Sequence, residues 1–263
     1  MEYETIKVEY SNNIATITLN LPEKRNSLSI KMMRELTQAL DEIEQGGKAR
    51  VVVLTGAGRS FCAGADLEDL QKTMNLKPSG VEPSLKSWFL LIRRIKNVEL
   101  PIIAAVNGHA LGGGFALAIA CDIRIAAEDV KTGAVFVQRG ASSADMGVSW
   151  ILPRIVGAAW AAELMFTGDI IDAATAERIG LFNHVVPGEQ LMEAAQEMAA
   201  KLAAGPPLAL KFTKRALNRS VWEGLQGQLE YESATQSLVF LSDDFHEGVN
   251  SFFEKRTPEF RGH

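Results

Sequence analysis

The chain has 263 residues, 47% of them apolar, enough to bury one large core or a core with an appendage. Its formal net charge of -5 supplies no basic face for displacing phosphate counterions, which argues against a nucleic-acid binder. Two cysteines cannot frame a disulfide network, Met1-Glu2-Tyr3-Glu4 lacks the regions of a secretory leader, and no apolar run is long enough for a bilayer; a cytoplasmic protein with reduced thiols and no membrane partner is expected.

In chain order, Ile6 to Tyr10 and Ile14 to Leu19 alternate in the strand manner around a turn at Ser11-Asn12-Asn13, which predicts a hairpin. From Ser29, a helix-capping residue type, the apolar residues Ile30, Met33, Leu36, Leu40 and Ile43 fall at helical spacing as far as Gly46-Gly47. Val51 to Leu54 is continuously apolar, as a strand covered on both faces would be. Between Asp69 and Pro83 the pattern breaks, and Lys77 to Pro83 reads as a mobile loop, either a lid or a surface insertion. Leu85 to Ile95 reads as a helix and Ile102 to Val106 as a strand. After Val185-Val186-Pro187 the strands stop, and 188–203, 207–218, 221–241 and 244–253 read as helices.

Two glycine-bearing stretches stand out. Val106 to Ala118 reads as a strand, a Gly112-Gly113-Gly114 elbow and the first turns of a buried helix. Glycines let main-chain N–H groups approach a ligand with no Cβ in the way, and a helix start aims about half a positive charge at it. Ser60-Phe61-Cys62-Ala63-Gly64-Ala65-Asp66-Leu67 likewise follows a strand and opens a helix. Two such amide sources can converge on one negative oxygen, although tight helix–strand packing also favours glycine. Other chemistries lack their spacing. In Gly56-Ala57-Gly58 the dinucleotide fingerprint fails at Phe61, and His109, His184, His246 and His263 make no metal-ligand pattern with the cysteines, so no metal site is expected. His109 suits a structural or pocket-lining role better than that of a base.

Both stretches, with their order and separation, resemble the crotonase (enoyl-CoA hydratase/isomerase) superfamily. The likeness extends through Leu21 to Leu28, Cys121-Asp122-Ile123-Arg124-Ile125-Ala126, Leu152 to Gly157, Thr167-Gly168, Ala176 to Leu181 and Phe252-Phe253-Glu254-Lys255-Arg256. It implies an α/β fold, a spiral of repeated ββα units over 1–187 binding acyl-CoA, and a C-terminal helical layer over 188–263 that builds a homotrimer or hexamer. The 221–241 helix carries more apolar surface than a solvent-facing helix needs, including Leu225, Leu229, Leu238 and Phe240, which fits such a layer.

The resemblance further implies that the N–H groups of Ala65 and Gly113 hold the thioester carbonyl of an acyl-CoA. Coenzyme A would enter as the acyl carrier of the substrate, with no separate cofactor. Arg25 and Ser27 would lie near the adenine and phosphates, Ala63, Asp66 and Leu67 along the pantetheine, and Lys255 would reach a phosphate from a neighbouring subunit. Family hydratases place glutamates where this chain has Ala116 and Phe136, so a two-glutamate hydratase is not expected. Asp145, two residues before Gly147, resembles the aspartate of family isomerases, with one extra residue between Gly140 and Asp145. It would serve as the single base of a double-bond shift, in a pocket to which Phe115, Phe136, Met146 and Trp150 could contribute; as a plain helix cap near Val148 it would have no such role. Glu68, Asp69 and Glu163 fit solvated or helix-supporting charges. The alternatives are an atypical hydratase, an acyl-CoA hydrolase or decarboxylase, or a binding protein without activity.

Overall fold

The computed structural model describes residues 3–263. The hairpin forms as expected: β1 (Ile6–Ser11) runs antiparallel to β2 (Ile14–Leu19), and Asn12 and Asn13 take the left-handed backbone that a tight hairpin turn requires. The helix α1 (Ile30–Gly46) starts at Ser29, whose hydroxyl accepts the Met32 N–H, and ends at left-handed Gly47.

From there the chain alternates between two sheets. β3 (Val51–Gly56), β5 (Ile102–Val106), β7 (Ile123–Ala127) and β10 (His184–Val186) extend the hairpin into a six-stranded sheet of order β1-β2-β3-β5-β7-β10, parallel after β2. β4 (Ser60–Cys62), β6 (His109–Leu111), β8 (Lys131–Gly133) and β9 (Ile171–Asp172) form a second sheet in that order, with only β9 antiparallel. Each large-sheet strand β3, β5 and β7 is followed by a small-sheet strand, and then by helical chain: α2 (Leu67–Met74) and α3 (Pro78–Asn97), α4 (Gly113–Ala120), and α5 (Val148–Thr167) after a short 3₁₀ helix at Val135–Arg139. This is the ββα spiral. The strands β3, β5 and β7 are almost wholly buried because helices cover one face and the small sheet lies toward the other side of the coil.

Beyond α6 (Ala173–Arg178) and β10, the chain is α7 (Leu191–Ala203), α8 (Pro207–Arg219), α9 (Leu225–Phe240) and α10 (Asp243–Glu254). α7 buries Leu191, Ala195, Ala199 and Ala203 on the core. α8 is fastened by buried Lys214, whose ammonium donates to the carbonyls of Ile95 and Leu100 and pairs with Asp122 at 2.7 Å. Burial pulls its pKa down, against the Asp122 charge. The C-terminal tail folds back on α10, where the buried Asp244 carboxylate accepts the N–H groups of Arg261 and Gly262 at 2.6 and 2.8 Å.

Two expectations are corrected. Lys77 to Pro83 is not a loop: the chain enters α3 at Pro78, since a proline at the first helical position sets φ for the helix and forfeits only an N–H with no helical partner. α9 begins at Leu225 rather than at 221, and Trp222 sits in the preceding connector with its ring 5.9 Å from that of Trp150. Phe136 lies in the 3₁₀ helix Val135–Arg139.

Candidate active site

The two glycine-bearing stretches meet. Leu28 forms a parallel bridge with Ala65, its N–H donating to Gly64 O at 2.7 Å and its carbonyl accepting the Asp66 N–H at 3.0 Å. In such a bridge the N–H of the middle residue faces the other way, and among the described residues the Ala65 N–H has no acceptor. Gly64 has φ +108°, open to glycine, and a methyl group there would stand 3.0 Å from Leu111 O and 3.7 Å from the Gly113 nitrogen. Gly113 is the first residue of α4, whose leading N–H groups have no capping side chain. A methyl group on the next residue, Gly114, would overlap the carbonyl of Cys62, so only glycine lets α4 press this closely on β4. The loop after β4 and the start of α4 are therefore adjacent, each with an unpaired main-chain N–H.

Gly113 is walled by side chains. A methyl group on it would meet Leu28 Cδ1 at 3.2 Å, and Met146 Sδ and Trp88 Cζ3 both at 3.4 Å. Leu28 and Met146 are fully buried and Trp88 is 8% exposed. Met146 brings Asp145 with it. The turn is bent by left-handed Met146 (φ +46°) and Gly147 (φ +76°), and by Ser143, whose hydroxyl donates to Ala134 O and Met165 O. Asp145 does not cap α5: Gly147 holds the N-cap position, and the carboxylate accepts the Met146 N–H at 2.8 Å. Burial raises the Asp145 pKa, that hydrogen bond opposes the rise, and among the described residues no cation pairs with it. Phe136 is half-buried, and the 3₁₀ helix it sits in touches the Gly112 elbow through Val135.

Of the other expected residues, Arg25, Ser27, Ala63, Asp66 and Leu67 lie along or against the stretch from Ala63 to Leu67, and Lys255 does not. The Arg25 carbonyl accepts the Ala63 N–H at 3.0 Å, with the Arg25 side chain exposed. Ser27 Oγ donates to Asp66 at 3.1 Å, and Asp66 caps α2 by accepting the N–H groups of Glu68 and Asp69. Burial would raise the Asp66 pKa, but the Asp69 N–H, the Ser27 hydroxyl and Lys24 together hold it below the ordinary value. Leu67 is exposed. Lys255, exposed at the end of α10, makes no hydrogen bond or ion pair with this group. Glu68 pairs with Lys24, Asp69 accepts the Ile30 N–H, and Glu163 is exposed. Cys62 is buried and its thiol is pushed up to about 12, which keeps it from acting as a nucleophile. Trp88 is the site residue that sequence reading missed; it falls within the helix read from Leu85 to Ile95, and nothing local indicates which glycine it meets.

The sequence profile of the enoyl-CoA hydratase/isomerase family matches residues 9–263. The chain belongs to this family. Within the enoyl-CoA hydratase/isomerase family it is 38% identical to 1,2-epoxyphenylacetyl-CoA isomerase of Escherichia coli K12, over 100% of this chain and 99% of that one. It is 36% identical to the short-chain-enoyl-CoA hydratase of Clostridium acetobutylicum, over 98% of each. The crystal structure of enoyl-CoA hydratase from Bacillus anthracis superposes with a TM-score of 0.93 at 36% identity, covering 99% of this chain and 100% of that one. The fold is thus the crotonase spiral, and the chain is an acyl-CoA enzyme of this family.

Proposed function

We propose that this enzyme shifts a double bond along the acyl group of a CoA thioester. The thioester oxygen lies between the N–H groups of Ala65 and Gly113. Asp145 takes a proton from one carbon, the electron pair spreads through the double bond onto that oxygen as a dienolate, and the carboxyl, which exchanges protons with solvent between the two transfers, protonates the carbon two positions along. Each preorganised donor in a dry site contributes on the order of 3 kcal/mol to lowering the barrier. A carboxylate whose pKa is raised by burial is a better base near neutral pH than an exposed one.

The observation that carries this reading is the half-buried Asp145, without an ion-pair partner, on the turn that abuts Gly113. The main chain and side chains of Arg25, Ser27, Ala63, Asp66 and Leu67 hold the coenzyme, which arrives with the substrate. Phe136 lines the acyl side, and Lys255 reaches a phosphate in a neighbouring subunit of a trimer or hexamer built on residues 188–263. The enzyme works in the cytoplasm.

Hydration is the competing reading, favoured by the hydratase names among its relatives. Against it stand Ala116 and Phe136, which leave Asp145 to do alone what hydration asks of a water-activating base and a carbon acid. The test is to incubate the protein in D2O with 2-enoyl-CoA and 3-enoyl-CoA esters, following double-bond position, deuterium uptake and 3-hydroxyacyl-CoA. Isomerisation with deuterium incorporation, reduced about 10²-fold or more in Asp145→Asn while CoA-ester binding persists, is expected. Accumulation of 3-hydroxyacyl-CoA would overturn the reading in favour of hydration, and binding without exchange would leave a binding protein.

A further inference from the structure

A thioester whose oxygen sits at Ala65 and Gly113 sends two arms outward from its carbonyl carbon. The sulfur arm runs to the open side, where Ala63 is half-buried and Leu67 is exposed. The acyl arm then faces the other wall, Leu28, Met146 and Trp88, whose atoms crowd the Cα of Gly113 at 3.2 to 3.4 Å from a methyl position. Two of the three are committed elsewhere. The Leu28 backbone is bridged to the Ala65 loop, and Met146 is held by its left-handed turn beside Asp145. Trp88 comes from the middle of α3 and brings the largest side chain of the three. Trp88 is buried, 8% exposed, with half-buried Leu85 one turn earlier on the same helix face.

On the reading given under the proposed function, we infer that Trp88 is the specificity-determining residue of this enzyme: its indole closes the acyl end of the site and restricts the substrate to a short acyl group. A long chain has no path past the ring. Removing the ring opens room beside Gly113 and admits the longer chain.

The test compares kcat/KM for 3-hexenoyl-CoA and 3-dodecenoyl-CoA in the wild type, Trp88→Ala, Trp88→Phe and Phe89→Ala. Dissociation constants for hexanoyl-CoA and dodecanoyl-CoA are measured on the same proteins. The wild type is expected to favour the six-carbon ester. Trp88→Ala should shift the ratio toward the longer ester by on the order of tenfold or more, the Phe variant by less, and the exposed-ring variant at 89 not at all. A purely structural role would weaken both esters equally and leave the ratio unmoved. Unchanged ratios in both Trp88 variants, or a wild type that accepts both lengths alike, would overturn the inference. The binding constants decide it even if no ester is turned over, an outcome that would instead remove the isomerase reading. If Trp88→Ala does not fold, the ratio in Trp88→Phe decides.

Discussion

The Asp145 carboxyl is under opposing influences: burial favours its neutral form, and the N–H of Met146 favours its charged form. Burial prevails, so the group holds its proton to a higher pH than an ordinary aspartate. For catalysis by the ionised base, the rate should fall on the acid side through this raised pKa and level off above it. The sign for stability is opposite to that of most carboxylates. The native state binds more proton than the unfolded chain between the ordinary and the raised pKa, so stability declines as pH rises through that window. Asp145→Asn removes the cost of a buried charge, and its melting temperature at neutral pH is expected to exceed that of the wild type while proton exchange is lost. A variant that is inactive and also less stable would show that the carboxylate serves packing instead.

At the scale of elements, α2 is held by polar ties and buries no residue of its own. Asp66 supplies the cap and the bond to Ser27, and Asp69 reaches the N–H of Ile30. Because the Asp66 pKa is depressed, its contribution is present above the ordinary aspartate value and is lost as pH falls through the lower native value. Asp66→Ala should cost about 1 kcal/mol, seen as faster amide exchange confined to Leu67–Met74. α8 behaves differently. Lys214→Ala strips an ammonium from two carbonyls and from Asp122, and is expected to cost about 3 kcal/mol in denaturant unfolding.

Elements with a strong pattern were legible in the sequence: the hairpin, α1 with its Ser29 cap, and the fully buried β3 and β5 with their apolar runs Val51 to Leu54 and Ile102 to Val106. The start of α3 was not, because Pro78, Gly80 and Pro83 carry turn chemistry although the chain there is helical. The three-residue strands β4, β6 and β8 were hidden too, since their partners come from distant turns of the coil and not from a local repeat. In the site, the two glycine-bearing stretches were legible as amide sources that could meet, whereas Ala65 and Gly113 as the donors rest on resemblance alone. The approach of Trp88, and the direction of Asp145 after an inserted residue, depend on long-range packing and on the left-handed backbone at Met146.

For the whole molecule, the outward faces of the C-terminal helices carry Leu225, Leu229, Leu238, Phe252 and Phe253, each at least half exposed in the single chain. Apolar area of this kind favours association. Light scattering is expected to give a mass near three or six times the 28.6 kDa chain, and a charge at Leu238 should lower it. A monomer at micromolar concentration would contradict the trimer reading and leave Lys255 without a partner site. The contact of Gly114 with the Cys62 carbonyl has a wider consequence. The oxygen site proposed for Ala65 and Gly113 would be drawn in peptide planes, which point mutations of surrounding side chains barely disturb. Exchanging the neighbouring acid at Asp145 is therefore expected to alter the reaction while leaving that proposed site in place.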